Sequence, residues 1–165
     1  MPVGTIGEIL ARGPQLMDGY WNRPDETAAT LAGGWLHTGD LGFSDAAGYL
    51  TVCDRRSDMI VSGGENVASR EVESVLLTHP AVVDVAVIAV PDARWGEAVH
   101  AVVVVAPGAT VDLDGLVAHC DGRLAGFKVP RSMEVVDEIP RNASGKVLKS
   151  TLRAPYWAGQ TRRVG

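Results

Sequence analysis

At 165 residues the chain can bury one substantial core or two small ones, and 46% apolar with 21% charged side chains is ordinary for a globular protein. A net charge of −5 argues against general nucleic-acid binding, and two cysteines, Cys53 and Cys120, give neither a disulfide framework nor metal-ligand spacing, which fits a reduced, cytoplasmic setting. The first residues lack the basic-then-apolar pattern of a signal peptide, and the longest apolar run, residues 101–107, is too short to span a bilayer.

In chain order, residues 7–13 predict a short strand closed by Pro14. Residues 18–34 predict a loop and a short helix with Asp25 as N-cap after Pro24 and Gly33-Gly34 as its stop. Residues 35–52 read as β structure, with a turn at Asp45-Ala46-Ala47-Gly48. The charged run Asp54-Arg55-Arg56-Ser57-Asp58 marks a boundary between domains 1–56 and 57–165. Ser62-Gly63-Gly64-Glu65-Asn66 reads as a turn. A helix follows from Ser69, with Val72, Val75 and Leu76 on one stripe. Residues 82–90 and 97–106 predict strands and residues 112–124 a helix with Leu113, Leu116, Val117 and Cys120 along one side. A strand at 133–136 and a short helix from 147–152 close the pattern. The fold class is therefore α+β: a C-terminal domain of mixed sheet and packed helices, preceded by a strand-rich piece too small to close on its own.

Charge is unevenly placed. From Arg141 to the end there are six basic residues (Arg141, Lys146, Lys149, Arg153, Arg162, Arg163) and no acidic ones. The plain reading is a solvated basic tail. The run Pro140-Arg141-Asn142-Ala143-Ser144-Gly145-Lys146 offers another: a lysine on a glycine-hinged turn is a mobile point charge suited to a reacting phosphate. Asp40, between glycines in His37-Thr38-Gly39-Asp40-Leu41-Gly42, could accept both hydrogen bonds of a ribose diol, and Arg55 could share that ligand. Taken singly, each is equally readable as a turn aspartate, a surface arginine or a solvated lysine. His37, His79, His100 and His119 make no His-x-x-x-His pair, so no metal site is expected. Neither a Gly-x-x-x-x-Gly-Lys-Ser/Thr loop nor a Gly-x-Ser-x-Gly elbow occurs.

The order of the runs narrows the choice. Gly19-Tyr20-Trp21-Asn22-Arg23-Pro24 with Thr27-Ala28 precedes Trp35 to Asp40. Asp54-Arg55-Arg56-Ser57-Asp58-Met59-Ile60, Ser62-Gly63-Gly64-Glu65-Asn66-Val67, Glu71-Val72-Glu73, Pro91-Asp92, Trp95-Gly96-Glu97 and the Pro140 to Lys146 run follow. This series resembles the C-terminal third of the adenylate-forming superfamily, which holds acyl-CoA synthetases, luciferases and nonribosomal adenylation domains. It is most similar to the fatty-acyl-CoA ligase branch.

The resemblance implies a two-step reaction. A carboxylic acid, a fatty acid in that branch, attacks the α-phosphorus of ATP to give acyl-adenylate and pyrophosphate; CoA thiol then displaces AMP. It implies that Asp40 and Arg55 bind the ribose, that Lys146 stabilises the adenylation transition state, and that Gly63 and Gly64 border the pantetheine path. The segment 92–97 is similar to the loop near bound CoA. Ser57 stands at the hinge about which the small domain rotates between steps, where relatives carry Asp or Lys. Asn66 stands where some relatives carry a phosphate-contacting arginine, and Val61 where some carry a lysine. Mg2+ would come with the nucleotide and a large N-terminal domain, which also carries the triphosphate loop, adenine segment and acyl pocket. Residues 1–56 would be the end of that domain, and should expose apolar surface that is disordered or covered by a second chain, as in a homodimer. Two alternatives remain open: a non-enzymatic docking or regulatory module, and an adenylation domain loading a carrier-protein thiol.

Overall fold

A computed structural model describes residues 1–160, so Arg162 and Arg163 of the basic stretch lie outside the described residues. The chain divides into two compact units, Met1–Ser57 and Asp58–Gly165.

The first unit is an antiparallel sheet of β1 (Gly7–Ala11), β2 (Leu36–Ser44) and β3 (Leu50–Arg55) in that spatial order. The β2–β3 turn is set by Asp45, whose Oδ1 accepts from the amides of Ala47 and Tyr49 at 2.9 Å each. α1 (Pro24–Thr30) lies between β1 and β2 in sequence. Its N-cap is Arg23, with no side-chain cap bond; the expected cap, Asp25, sits inside the first turn, because Pro24 takes a first-turn position where a missing N–H costs nothing. The helix stops at Thr30, and Gly33-Gly34 belong to a separate 3-10 turn. No apolar side chain of this unit is buried among the described residues: the buried set starts at Met59, while Tyr20, Tyr49, Leu50 and Val52 are exposed and Trp21 is 90% exposed.

The second unit is a mixed sheet of β4 (Ile60–Ser62), β5 (Glu65–Val67), β6 (Val82–Asp92), β7 (Gly96–Val105) and β8 (Ser132–Val135). β6 and β7 form a long antiparallel ribbon. The other edge of β7 is shared: β4 pairs at Gly96 and β8 runs parallel to His100–Val103. α2 (Ser69–Leu76) and α3 (Leu113–Cys120) cover one face, where Val72, Leu76, Leu116 and Cys120 meet Val85, Val87, Ala89, Val99, Ala101 and Val103. Leu152 of α4 (Lys149–Arg153) and Tyr156 pack on the other, against Ile88, Val90, Ala98 and Val102. Both faces being covered explains why residues 85–90 are apolar without alternation.

Three expectations need correction. The turn at 62–66 is a hairpin, with Ser62 opposite Glu65, so a strand hides in Glu65-Asn66-Val67. The helix expected over 112–124 stops at Cys120, where Asp121 turns extended and Gly122 takes φ +69°, and Val117 is 39% exposed rather than on the packed stripe. The final helix starts at Lys149, after residues 147–148 have paired back on the preceding turn.

A polar chain centred on the buried His100 joins the region after α4 to the sheet. Tyr156 Oη donates to Glu134 at 2.7 Å, so its contact with His100 Nε2 at 3.0 Å makes that nitrogen the donor, and His100 Nδ1 accepts from Ser132 Oγ at 2.7 Å. The neutral ring fits; a charged ring would have to donate to Ser132 Oγ instead and carry its charge in a buried position. Burial holds the His100 pKa below its ordinary 6.5, against the opposing pull of Glu134. The folded state therefore binds this proton less readily than the unfolded chain. The stabilisation is complete above 6.5 and is lost as pH falls from 6.5 through the depressed folded value. Urea unfolding midpoints should fall between about pH 7 and pH 5.5 and do so less steeply in His100→Gln. Equal slopes in the two proteins would contradict this. Tyr156, pushed up to about 12 by burial and by Glu134, stays protonated throughout that range.

Candidate functional site

In the first unit the structure brings Asp40 and Arg55 together. They face each other in the β2–β3 register, with Arg55 Nε 3.1 Å from Asp40 Oδ1. Gly39 at φ +73° breaks the strand's alternation just before Asp40, and its carbonyl accepts from the Arg56 amide at 2.7 Å. Thr38 Oγ1 braces the bend, donating to Ile9 O at 2.7 Å and accepting from the Asp40 amide at 3.1 Å. The Asp40 side chain is 34% exposed, so a carboxylate oriented by a guanidinium remains open to hydroxyl donors.

Sequence reasoning missed Glu8, which organises the neighbouring positions. Glu8 Oε2 lies 3.0 Å from His37 Nδ1 and 4.0 Å from Arg56, and Oε1 accepts from the Gly39 amide at 3.3 Å. The His37 hydrogen bond, with the Gly39 amide and the nearby charges, holds its carboxyl below the usual range despite the cost of burial. The signal was a lone carboxylate inside an otherwise apolar strand.

In the second unit Lys146 sits on a closed turn. Arg141 and Val147 form an antiparallel bridge, and the Lys146 carbonyl accepts from the Asn142 amide at 2.9 Å. Gly145 takes φ +80°. Asn142 Oδ1 accepts from Ser144 N, Ser144 Oγ and Lys146 N at 3.0, 2.8 and 2.9 Å. The turn is therefore fixed while the Lys146 side chain is exposed, with no hydrogen-bond or ion-pair partner among the described residues. Its basic neighbours differ: Arg141 pairs with Asp84, Lys149 with Glu73 and Arg153 with Asp58. The solvated-tail reading thus fails for these three.

Gly63 and Gly64 form the two-residue β4–β5 turn, at φ +61° and +88°, values that only glycine takes easily. The Gly63 amide donates to Trp95 O at 2.9 Å, and a Cβ on Gly63 would lie 2.6 Å from the Trp95 ring; Gly64 faces open space. Arg94 and Arg131 stack on Trp95, 4.5 and 4.7 Å from the ring. Asp92 Oδ1 accepts from the Arg94 and Trp95 amides at 2.8 Å each, and these amides pull its carboxyl below the usual range. The result is a cationic aromatic shelf beside a side-chain-free turn.

Ser57, in the turn after β3, is the last residue of the first unit. The structure does not bring Lys146 and the glycine turn together. The Lys146 turn is tied to Asp84, which pairs with Val104, whereas the glycine turn is tied to the Trp95–Gly96 end of the ribbon, opposite Asp92. Asp92 lies eight residue steps along β6 from Asp84, a span of about 26 Å. Among the described residues no three His, Cys, Asp or Glu side chains are grouped to hold a metal ion, and no helix is long and apolar enough to cross a membrane.

Residues 71–146, from α2 to this lysine, match the model of the AMP-binding enzyme C-terminal domain. This segment belongs to the AMP-binding enzyme C-terminal domain family. The chain is 51% identical over 156 residues to a feruloyl-CoA synthase of Amycolatopsis sp, covering 94% of this chain and 32% of that protein. It is 45% identical over 164 residues to the fatty acid–[acyl-carrier-protein] ligase ScoC of Streptomyces coeruleorubidus, covering 99% and 32%. Among solved structures, o-succinylbenzoate CoA synthetase (MenE) from Bacillus subtilis, in complex with the acyl-adenylate intermediate OSB-AMP, superposes with a TM-score of 0.85 at 43% identity, covering 100% of this chain and 32% of that one. That synthetase is also known with ATP and a magnesium ion. The chain thus spans about a third of the length of these relatives.

Proposed function

We propose that this chain supplies the mobile domain and the ribose-binding edge of an ATP-dependent acyl-CoA ligase. Asp40 and Arg55 take the ribose of the nucleotide. Lys146 neutralises charge building on the α-phosphoryl oxygens and steers the incoming carboxylate. The Gly63-Gly64 turn admits the pantetheine arm, and the Trp95 shelf borders the CoA. Mg2+ arrives with ATP and is held by a large domain outside this chain. The observation that carries this reading is the span of about 26 Å between the anchors of the Lys146 turn and of the glycine turn. Two half-reactions served from opposite ends of one sheet require the domain to turn between them, with Ser57 as the pivot.

The substrate is a carboxylic acid, with a fatty acid the favoured class and the cytoplasm the expected location. The similarity to a carrier-protein ligase keeps a carrier-protein thiol as a second reading of the acceptor.

The test joins residues 1–165 behind the large-domain portion of the Amycolatopsis feruloyl-CoA synthase. The chain alone should give no ATP–pyrophosphate exchange, and the fusion should exchange with ferulate. Exchange by the chain alone would overturn its dependence on a large domain. Ligand binding without exchange in a folded fusion would favour a docking module, and thioester formed only on a carrier protein would favour the second acceptor.

A further inference from the structure

The Lys146 turn is clamped from outside itself. Asp84 lies where the β6–β7 register slips between Val82 and Asp84, and its Oδ1 accepts from the Val85 amide at 3.0 Å, which fixes the carboxylate. Both of its oxygens then accept from Arg141 Nη2, at 2.9 and 2.7 Å. The other arm of the guanidinium, Nη1, donates to Gly145 O at 2.9 Å, the carbonyl immediately before Lys146. One planar group therefore ties a bulge in the central ribbon to the peptide bond that carries the lysine. A lysine ammonium would hold Asp84 as a point charge but could not span both acceptors in this geometry. Inside the turn, Asn142 Oδ1 receives the Lys146 amide.

We propose that Asp84, acting through Arg141, is a positioning residue for Lys146. It fixes the direction in which an otherwise unrestrained ammonium leaves the domain. This rests on the assignment of Lys146 to the adenylation step. The pair is partly exposed, with side chains 42% and 31% accessible for Arg141 and Asp84, so its contribution to global stability is small. Its value lies in orientation, where a displacement of about an ångström at a reacting centre costs on the order of a hundredfold in rate.

Two measurements test this. In the full chain, 15N relaxation should give Gly145 and Lys146 order parameters typical of rigid backbone, about 0.85, falling below about 0.6 in Asp84→Asn and Arg141→Lys while β6 and β7 stay unchanged. An unchanged turn would overturn the clamp. In the fused ligase, Asp84→Asn should slow ATP–pyrophosphate exchange about tenfold and leave thioester formation from supplied acyl-adenylate unaltered. Equal losses in both half-reactions would mean a structural role only and overturn the proposal. Lys146→Ala serves as the control. If it leaves exchange intact, the assignment of Lys146 fails, and relaxation alone then decides whether Asp84 orders the turn.

Discussion

Lys146→Ala, in a ligase that carries this chain, is expected to slow acyl-adenylate formation by at least about a hundredfold, roughly 3 kcal/mol of barrier. The size follows from the geometry. The Lys146 side chain is exposed, with no partner among the described residues, and its turn is held by Asn142 and Arg141 rather than by the ammonium. Truncation therefore removes a charge without disturbing the fold, and no neighbour replaces it: Arg141, Lys149 and Arg153 are each paired with a carboxylate. Thermal unfolding should be unchanged. Thioester formation from supplied adenylate should also persist, because the glycine turn stands at the other end of the ribbon. Lys146→Arg should recover only part of the rate, since a planar fork is a poor substitute for a compact charge on a fixed turn. ATP–pyrophosphate exchange against single-turnover thioester formation reads both halves. Equal losses in the two would show that the lysine is not specific to adenylation.

The parts legible in the sequence were those governed by local rules. The Asp45 turn, the α2 stripe of Val72 and Leu76 and the apolar run that became β6 are each set by residues within a few positions of one another. The expectations that failed depended on partners far along the chain. Glu65-Asn66-Val67 has little strand character, yet pairs because Ile60 and Val67 are opposite each other beneath the helices. Helix α3 stops early because Leu124 and Phe127 reach the core by a different route after Gly122. For the site, residue types at Asp40, Arg55 and Lys146 suggested the chemistry. What holds them could not be read: Glu8 lies 29 positions from His37, and Asp84 lies 57 from Arg141. The basic stretch looked solvated for the same reason, its carboxylate partners being distant in sequence.

The largest stability loss is expected at Glu73, on the partly apolar helix α2. Glu73 Oε1 lies 2.6 Å from Lys149 Nζ and accepts from the Val87 amide at 2.8 Å, while Lys149 also donates to Ser69 Oγ at 2.6 Å. The two side chains are only 17% and 10% exposed. Glu73→Ala leaves a nearly buried ammonium facing Ser69 alone and deprives the Val87 amide of β6 of its acceptor, at a cost of about 3 kcal/mol. Lys149→Met strands the carboxylate but leaves it the Val87 amide, so it should cost less. Replacing both, in Glu73→Ala/Lys149→Met, should be milder than Glu73→Ala, because no unpaired charge is then enclosed. Urea unfolding followed by far-UV circular dichroism measures all three, and strictly additive effects would show that the two groups do not act as a pair. The consequence reaches the site, because Lys149 opens the helix that follows Lys146. Loss of Glu73 frees the downstream end of the turn whose upstream end Arg141 holds, so adenylation should weaken even at temperatures where the domain remains folded.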